Sequence, residues 1–234
     1  SMVDATPQLI KAALHYRLPC RYSVLLSGTD YQIKSNRYIL DFFRNSSTQF
    51  IQTFRLEDAP LWLNKIDRYH FLDTDVFNLR GTLRKKAYPL YKVSLIFYFL
   101  VQKILSKRKY LSGIEPYGGA QFWSLTAECL SYIYNYMENN KAFCRFYKFT
   151  HSPDEMVFHT ILMNSPFSAE IKMESKDCFW DHGQKFVKEY GNHFRYVDWS
   201  PERELPAVLK NRDFEKLIAS DDLFARKFYP DQSR

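Results

Sequence analysis

The tetrad Ser152-Pro153-Asp154-Glu155 is the richest local signal in the chain. A hydroxyl, a proline and two carboxylates in that order predict the start of a helix running to about Met163. Two carboxylates would then stand at a helix N-terminus, which favours the anion, and one of them can serve as a general base. A purely architectural reading fits the same residues. Ser152 at N-cap, with Glu155 folded back onto the Ser152 amide, makes a capping box. Toward the other end, Arg226-Lys227 lies between Phe224 and Phe228, two cations in an apolar frame. Such a pair suits a polyanion such as a diphosphate, with Arg bidentate and Lys a point charge. A solvated basic pair is the alternative. Arg195, inside the strand-like run His193 to Asp198, needs a partner, and Asp198 or a bound phosphate would serve.

Other candidate chemistry is weaker. Asp73-Thr74-Asp75 has the form of the D-x-D with which sugar-nucleotide enzymes hold Mg²⁺ or Mn²⁺, but a three-residue pattern means little among 26 acidic residues. The six histidines form neither H-x-x-x-H nor H-E-x-x-H, so zinc has no support. Cys20, Cys129, Cys144 and Cys178 are far apart and read as reduced, mostly buried thiols. The net charge of +7 and a pI near 9.1 raise the question of nucleic acid. Lys and Arg are scattered, however, and no helix-turn-helix or RNA-binding signature accompanies them. The stretch Lys92 to Leu111, apolar and then basic, reads as a buried helix with a solvated end, with a membrane-surface contact as the alternative.

An apolar fraction of 46% and a charged fraction of 25% describe a globular chain, not a disordered one. The longest apolar run, Val93 to Val101, is far below the roughly 18 residues that cross a bilayer. Ser1-Met2-Val3-Asp4 shows neither a basic nor an apolar leader region, so no signal peptide is expected.

The elements that must position these residues follow from periodicity and punctuation. Leu9, Ile10, Ala13 and Leu14 predict an amphipathic helix from Asp4 to Tyr16. Arg21 to Leu26 reads as a buried strand, Ser27 to Asp30 as a turn, and Ser35 as the cap of a helix to Arg44. Strand, turn and helix in that order predict a parallel α/β sheet with the site at the strand's carboxyl end. Phe50 to Phe54 is a second strand, and Leu56 to Lys92 an irregular, substrate-facing excursion. A tight turn at Gly118-Gly119 leads into a strand, and Thr126 caps a helix to Asn139 with Cys129, Leu130, Ile133, Tyr134 and Met137 on its apolar face. Asp213 to Ser220 is a short helix, followed by Leu223 to Phe228.

Four segments in order, LLSGTDYQIKS (Leu25 to Ser35), GGAQFWSL (Gly118 to Leu125), SPDEMVFHTILMNS (Ser152 to Ser165), and FRYVDW with LFARKF (Phe194 to Trp199, Leu223 to Phe228), resemble the core-2/I-branching β-1,6-N-acetylglucosaminyltransferase family, which includes the peptide O-xylosyltransferases. The chain is most similar to its bacterial branch. The resemblance implies a GT-A type α/β fold, a Rossmann-like mixed sheet flanked by helices. It implies one glycosyltransferase domain over residues 1–234, truncated at its N-terminus and matching the C-terminal two-thirds to three-quarters of the family's catalytic domain. The implied reaction is inverting transfer of N-acetylglucosamine or xylose from a UDP-sugar to an acceptor hydroxyl of a glycan or glycoconjugate, with no metal and no other cofactor.

Residue by residue, the resemblance makes Glu155 the catalytic base and Arg195, Arg226 and Lys227 the donor-diphosphate residues. It places Asp30 beside the donor sugar, and Lys65, Arg68 and Gly119 on the acceptor side. Asp73 and Asp75 carry no metal in the family pattern. Gln32 stands where the family has Pro, and the strands expected ahead of the opening helix, which carry much of the uridine pocket, are missing. A cytoplasmic location is implied, with the inner membrane face as an alternative, and no nucleic-acid partner. Two rivals stay open: a non-catalytic carbohydrate-binding or scaffolding remnant, and a basic module for nucleic acid or anionic membrane.

Overall fold

The computed structural model describes residues 2–16, 20–70, 100, 101, 105, 107–172, 175–180, 185–200, 202–229 and 231. The Asp73-Thr74-Asp75 motif, most of the helix expected over Val93 to Leu105, and residues 71–92 of the expected excursion lie outside them. The chain is mixed α/β. In order, α1 spans Met2–His15, β1 Tyr22–Val24, β2 Asp30–Gln32, α2 Asn36–Arg44, β3 Phe50–Ile51, β4 Phe54–Arg55 and α3 Pro60–Ile66, with a 3₁₀ turn at Leu56–Asp58 before α3. Then come β5 Tyr117–Gly118, β6 Trp123–Thr126, α4 Ala127–Asn139, α5 Lys141–Tyr147, a 3₁₀ turn Pro153–Glu155 and α6 Val157–Met163. A 3₁₀ turn Pro166–Glu170, β7 Ser175–Trp180, β8 Lys185–Tyr190, β9 Arg195–Val197, a 3₁₀ turn Asn211–Asp213, α7 Phe214–Ala219 and β10 Phe224–Arg226 complete the described elements.

The caps read from sequence are in place. Ser35 Oγ accepts from the Tyr38 amide at α2, and Thr126 Oγ1 from the Cys129 amide at α4. Along α4, Cys129, Leu130, Ile133 and Met137 are buried. They join Ile51, Phe54, Leu56, Leu125, Tyr147, Met156, Phe158, Ile161 and Leu162 in the main core. Helix α1 contributes Ile10, whereas Leu9, expected on the same face, is exposed.

The sheet departs from the parallel arrangement expected. β6 is central in a three-stranded sheet and antiparallel to both neighbours, with Val24 opposite Ser124 and Phe50 also opposite Ser124. Among the described residues the single parallel pair is β9 with β10, in a second sheet ordered β2-β10-β9. The cause is the turn after β1. It leads into another strand, β2, which crosses to the second sheet before Ser35 starts a helix. Strand β1 itself is half-buried, not buried.

The expected strand Phe50 to Phe54 is split between two sheets, β3 pairing with β6 and β4 with β5. Two glycine backbones press on the break. A Cβ at Gly119 would sit 2.0 Å from the Gln52 carbonyl oxygen, and one at Gly191 2.1 Å from that of Ile51. No side chain fits at either position. The excursion expected from Leu56 begins instead with α3, whose signal was Pro60 at the first turn and Trp62 and Ile66 on one buried face. Cys129 is buried and Cys144 half-buried, but Cys20 is exposed, contrary to expectation.

Gln49 is the polar link between the sheet and α4. Its buried amide accepts from the Thr126 amide (3.0 Å) and donates to Thr126 Oγ1 (3.0 Å) and Glu170 Oε2 (2.8 Å). Thr126→Ala removes a helix cap and a partner of a buried amide together, so urea unfolding is expected to show a loss of about 1–2 kcal/mol. An unchanged midpoint contradicts this role.

Candidate active site

Glu155 does not complete a capping box. Ser152 has φ 47° and ψ 57°, in the left-handed region, whereas an N-cap residue needs extended backbone. Its hydroxyl lies 3.3 Å from His151 Nδ1 instead. Residues Pro153–Glu155 form a 3₁₀ turn ahead of α6, and the Glu155 carboxylate, 32% exposed, pairs through Oε2 with Lys65 Nζ at 2.8 Å. The carboxylate is thus turned outward, toward the end of α3, and Oε1 has no hydrogen bond among the described residues.

Beneath Glu155 the backbone is fixed by the β5–β6 connection. The Gly119 amide donates to the Glu155 carbonyl (3.0 Å). His159, one turn beyond Glu155 and fully buried, lies 2.9 Å from the Ala120 carbonyl through Nε2. Burial pushes the His159 imidazole down to about 4, against the opposing effect of its bonds to backbone carbonyls. It is therefore neutral at pH 7 and donates from Nε2. A Cβ at Gly119 would also lie 2.8 Å from this ring. Gly119 admits the close packing that sets the base of Glu155.

The second cluster centres on Asp30, whose side chain is completely buried. The pairing of β2 with β10 sets Asp30 directly opposite Arg226. Asp30 Oδ2 accepts from the Ser27 amide (2.6 Å) and lies 3.5 Å from Arg195 Nε; Oδ1 lies 3.5 Å from Arg226 Nε. At those separations the carboxylate attracts both guanidiniums without saturating them. Arg195 Nη2 donates to the Leu25 carbonyl (2.9 Å), but Arg195 Nε, Arg195 Nη1 and Arg226 Nε have no hydrogen-bond partner among the described residues. Both guanidiniums lie on the Phe122 ring, their carbons 4.0 and 4.6 Å from its centroid.

Burial pulls the Arg195 guanidinium down to about 10, with Asp30 opposing and Arg226 reinforcing that shift. It remains protonated at pH 7. Lys227 follows Arg226 in the chain, and its ammonium lies 4.8 Å from the Tyr229 ring. The cluster holds excess positive charge and unfilled donors, which suits an anion with several oxygens.

The expected residues therefore gather in two groups. Glu155, Lys65 and Gly119 form one; Asp30, Arg195, Arg226 and the adjacent Lys227 form the other. Gly119 and Phe122 join them, and three residues of chain span at most about 10 Å. Arg68 is exposed beside the first group. The partner foreseen for Arg195 is Asp30, not Asp198. Asp30, placed by resemblance beside a sugar, is enclosed between the guanidiniums it holds.

Sequence reasoning missed Arg203. It donates to Asp198 and bidentately to Asp213 (2.9 and 3.1 Å), and also reaches the Val208 carbonyl. This fastens the loop whose Leu209 amide donates to the Lys227 carbonyl (2.9 Å). Nothing in the exposed-looking run Glu202-Arg203-Glu204 announces that role. For both carboxyls burial acts upward but is outweighed. Bonds from Ser200 and Arg203 hold Asp198 below its ordinary value, and bonds from Arg203 and the Lys210 amide do so for Asp213.

Carboxyls depressed in the folded state stabilise it above their unfolded pKa and lose that effect as pH falls through the folded one. Arg203→Met is expected to cost about 3 kcal/mol near pH 7, and progressively less below about pH 4. Urea unfolding at several pH values checks this; a pH-independent loss contradicts it.

Among the described residues no helix is long and apolar enough to cross a membrane, and no three His, Cys, Asp or Glu side chains converge. No curated protein matches the chain. One family does: the profile described as Core-2/I-Branching enzyme matches residues 1–218, which include the Glu155 group, Asp30 and Arg195, whereas Arg226 and Lys227 lie beyond the match. The chain belongs to the core-2/I-branching enzyme family, a family of glycosyltransferases.

Proposed function

We propose that this chain is a UDP-sugar-dependent transferase of GT-A type, moving N-acetylglucosamine or xylose with inversion to an acceptor hydroxyl during polysaccharide or glycoconjugate assembly. The observation that carries the proposal is the pairing of an outward-facing carboxylate, Glu155, with a partly unsatisfied cation cluster on one short connection, Gly119 to Phe122.

In the proposed reaction Glu155 Oε1 takes the proton of the acceptor hydroxyl. The acceptor oxygen forms a bond to the anomeric carbon while the bond from that carbon to the β-phosphate oxygen breaks. UDP leaves with the electron pair. Attack opposite the leaving group inverts the anomeric centre. Arg195, Arg226 and Lys227 meet the charge that grows on the diphosphate, and such preorganised charge counts for more in a water-poor site. Three cations in that position would do what a divalent metal does in other transferases. Asp30 holds the two arginines at a fixed spacing, so little reorganisation accompanies departure.

Glu155→Gln tests the base assignment. The substituted amide keeps an oxygen for Lys65, and the side chain is partly exposed, so the fold should persist. With UDP-N-acetylglucosamine and UDP-xylose as donors, a panel of aryl glycosides as acceptors and UDP release as readout, turnover is expected to fall by about 10²–10⁴. Full turnover in the variant rejects Glu155 as base.

A further inference from the structure

We propose that Lys65 is a positioning residue for Glu155 and not a binding group for the acceptor; the inference rests on Glu155 being the base. The Lys65 ammonium is held from two sides. It lies 2.8 Å from Glu155 Oε2 and 3.4 Å from the centroid of the Trp62 ring, which sits one turn earlier on the same face of α3. A lysine normally keeps its stem mobile and its head in water. Here the ammonium is confined between a ring and a carboxylate, and the side chain is only 22% exposed.

The backbone carrying it is fixed as well. The His151 amide, two residues ahead of the turn that bears Glu155, donates to the Lys65 carbonyl (3.2 Å). Arg108 braces the same two segments. Its amide donates to the Asp67 carbonyl (2.8 Å), and its guanidinium to the carbonyls of Arg68 (3.2 Å), Phe149 (2.9 Å) and Phe146 and to Thr150 Oγ1 (3.3 Å). Lys65 and Glu155 are thus brought to one distance by backbone contacts as well as by charge.

The consequence concerns the two carboxylate oxygens. Oε2 is occupied by the ammonium, so Oε1 is the oxygen left to accept a proton, and rotation of the carboxylate is suppressed. A lysine committed to the acceptor would direct its donors into open space. This one spends its closest contacts on Trp62 and Glu155.

The test compares Lys65→Met, which keeps the stem over Trp62 without the charge, with Lys65→Arg. Misplacement of a catalytic group by about 1 Å can cost up to about 100-fold. Lys65→Met is therefore expected to lower kcat about 10- to 100-fold with KM unchanged within about threefold, a pattern of lost transition-state positioning. Lys65→Arg should recover part of kcat, and UDP affinity should be the same in all three proteins. A rise in KM at constant kcat assigns Lys65 to the acceptor and overturns the proposal alone. Absence of turnover in the wild type with either UDP-sugar overturns the base reading. The pair is then judged by thermal unfolding of Lys65→Met, Glu155→Gln and the double variant: non-additive shifts support the positioning contact, and additive shifts reject it.

Discussion

One buried carboxylate, Asp30, organises the cationic half of the site. Without it, two neighbouring guanidiniums would be unfavourable at this site, because burial disfavours charge and the arginines repel each other. Asp30 holds them apart by sitting between them, and its own place is set by the Ser27 amide and by the strand pairing that puts it opposite Arg226. The aromatic floor is equally economical. Phe122 offers one ring to both guanidiniums, and its neighbour Trp123 begins the central strand of the other sheet. An anion entering the cluster would relieve the excess positive charge and fill the open donors. Binding and electrostatic relief then coincide.

The Glu155 half depends on a different device, close backbone approach. Gly119 bonds the Glu155 backbone while a carbonyl and an imidazole lie where a side chain would clash with both. The buried His159 is neutral and acts through geometry alone. Gly119 and Phe122 belong to one connection, so three residues of chain separate the two clusters' anchor points. The fold thus ties the Glu155 group to the cation cluster by one short connection.

Much of this was legible in the sequence where the governing interaction is local. Ser35 and Thr126 cap the expected helices because a hydroxyl at N-cap finds its amide within three residues. The apolar face of α4 follows from periodicity alone. Sequence reasoning failed where the outcome depends on distant backbone. Ser152 has the composition of an N-cap but the wrong φ and ψ, so a correct motif gave the wrong contact for Glu155. Strand, turn and helix around Gly28 imitate a parallel unit, yet β2 is captured by β10, more than 190 residues later. Arg203 and its two aspartates were invisible because an exposed-looking charged run shows nothing of what it folds against. The resemblance of four segments named residues that the structure brings together, but it did not announce that Asp30 lies between two guanidiniums or that Lys65 pairs with Glu155.

The central claim is that the chain holds a diphosphate leaving group through its own cations. Calorimetric titration of UDP in the presence of EDTA, into the wild type and into the Arg226→Ala/Lys227→Ala variant, tests it most directly. The account predicts binding to the wild type that persists in EDTA and disappears in the double variant. Equal binding by both proteins, or binding that requires a divalent ion, would contradict it.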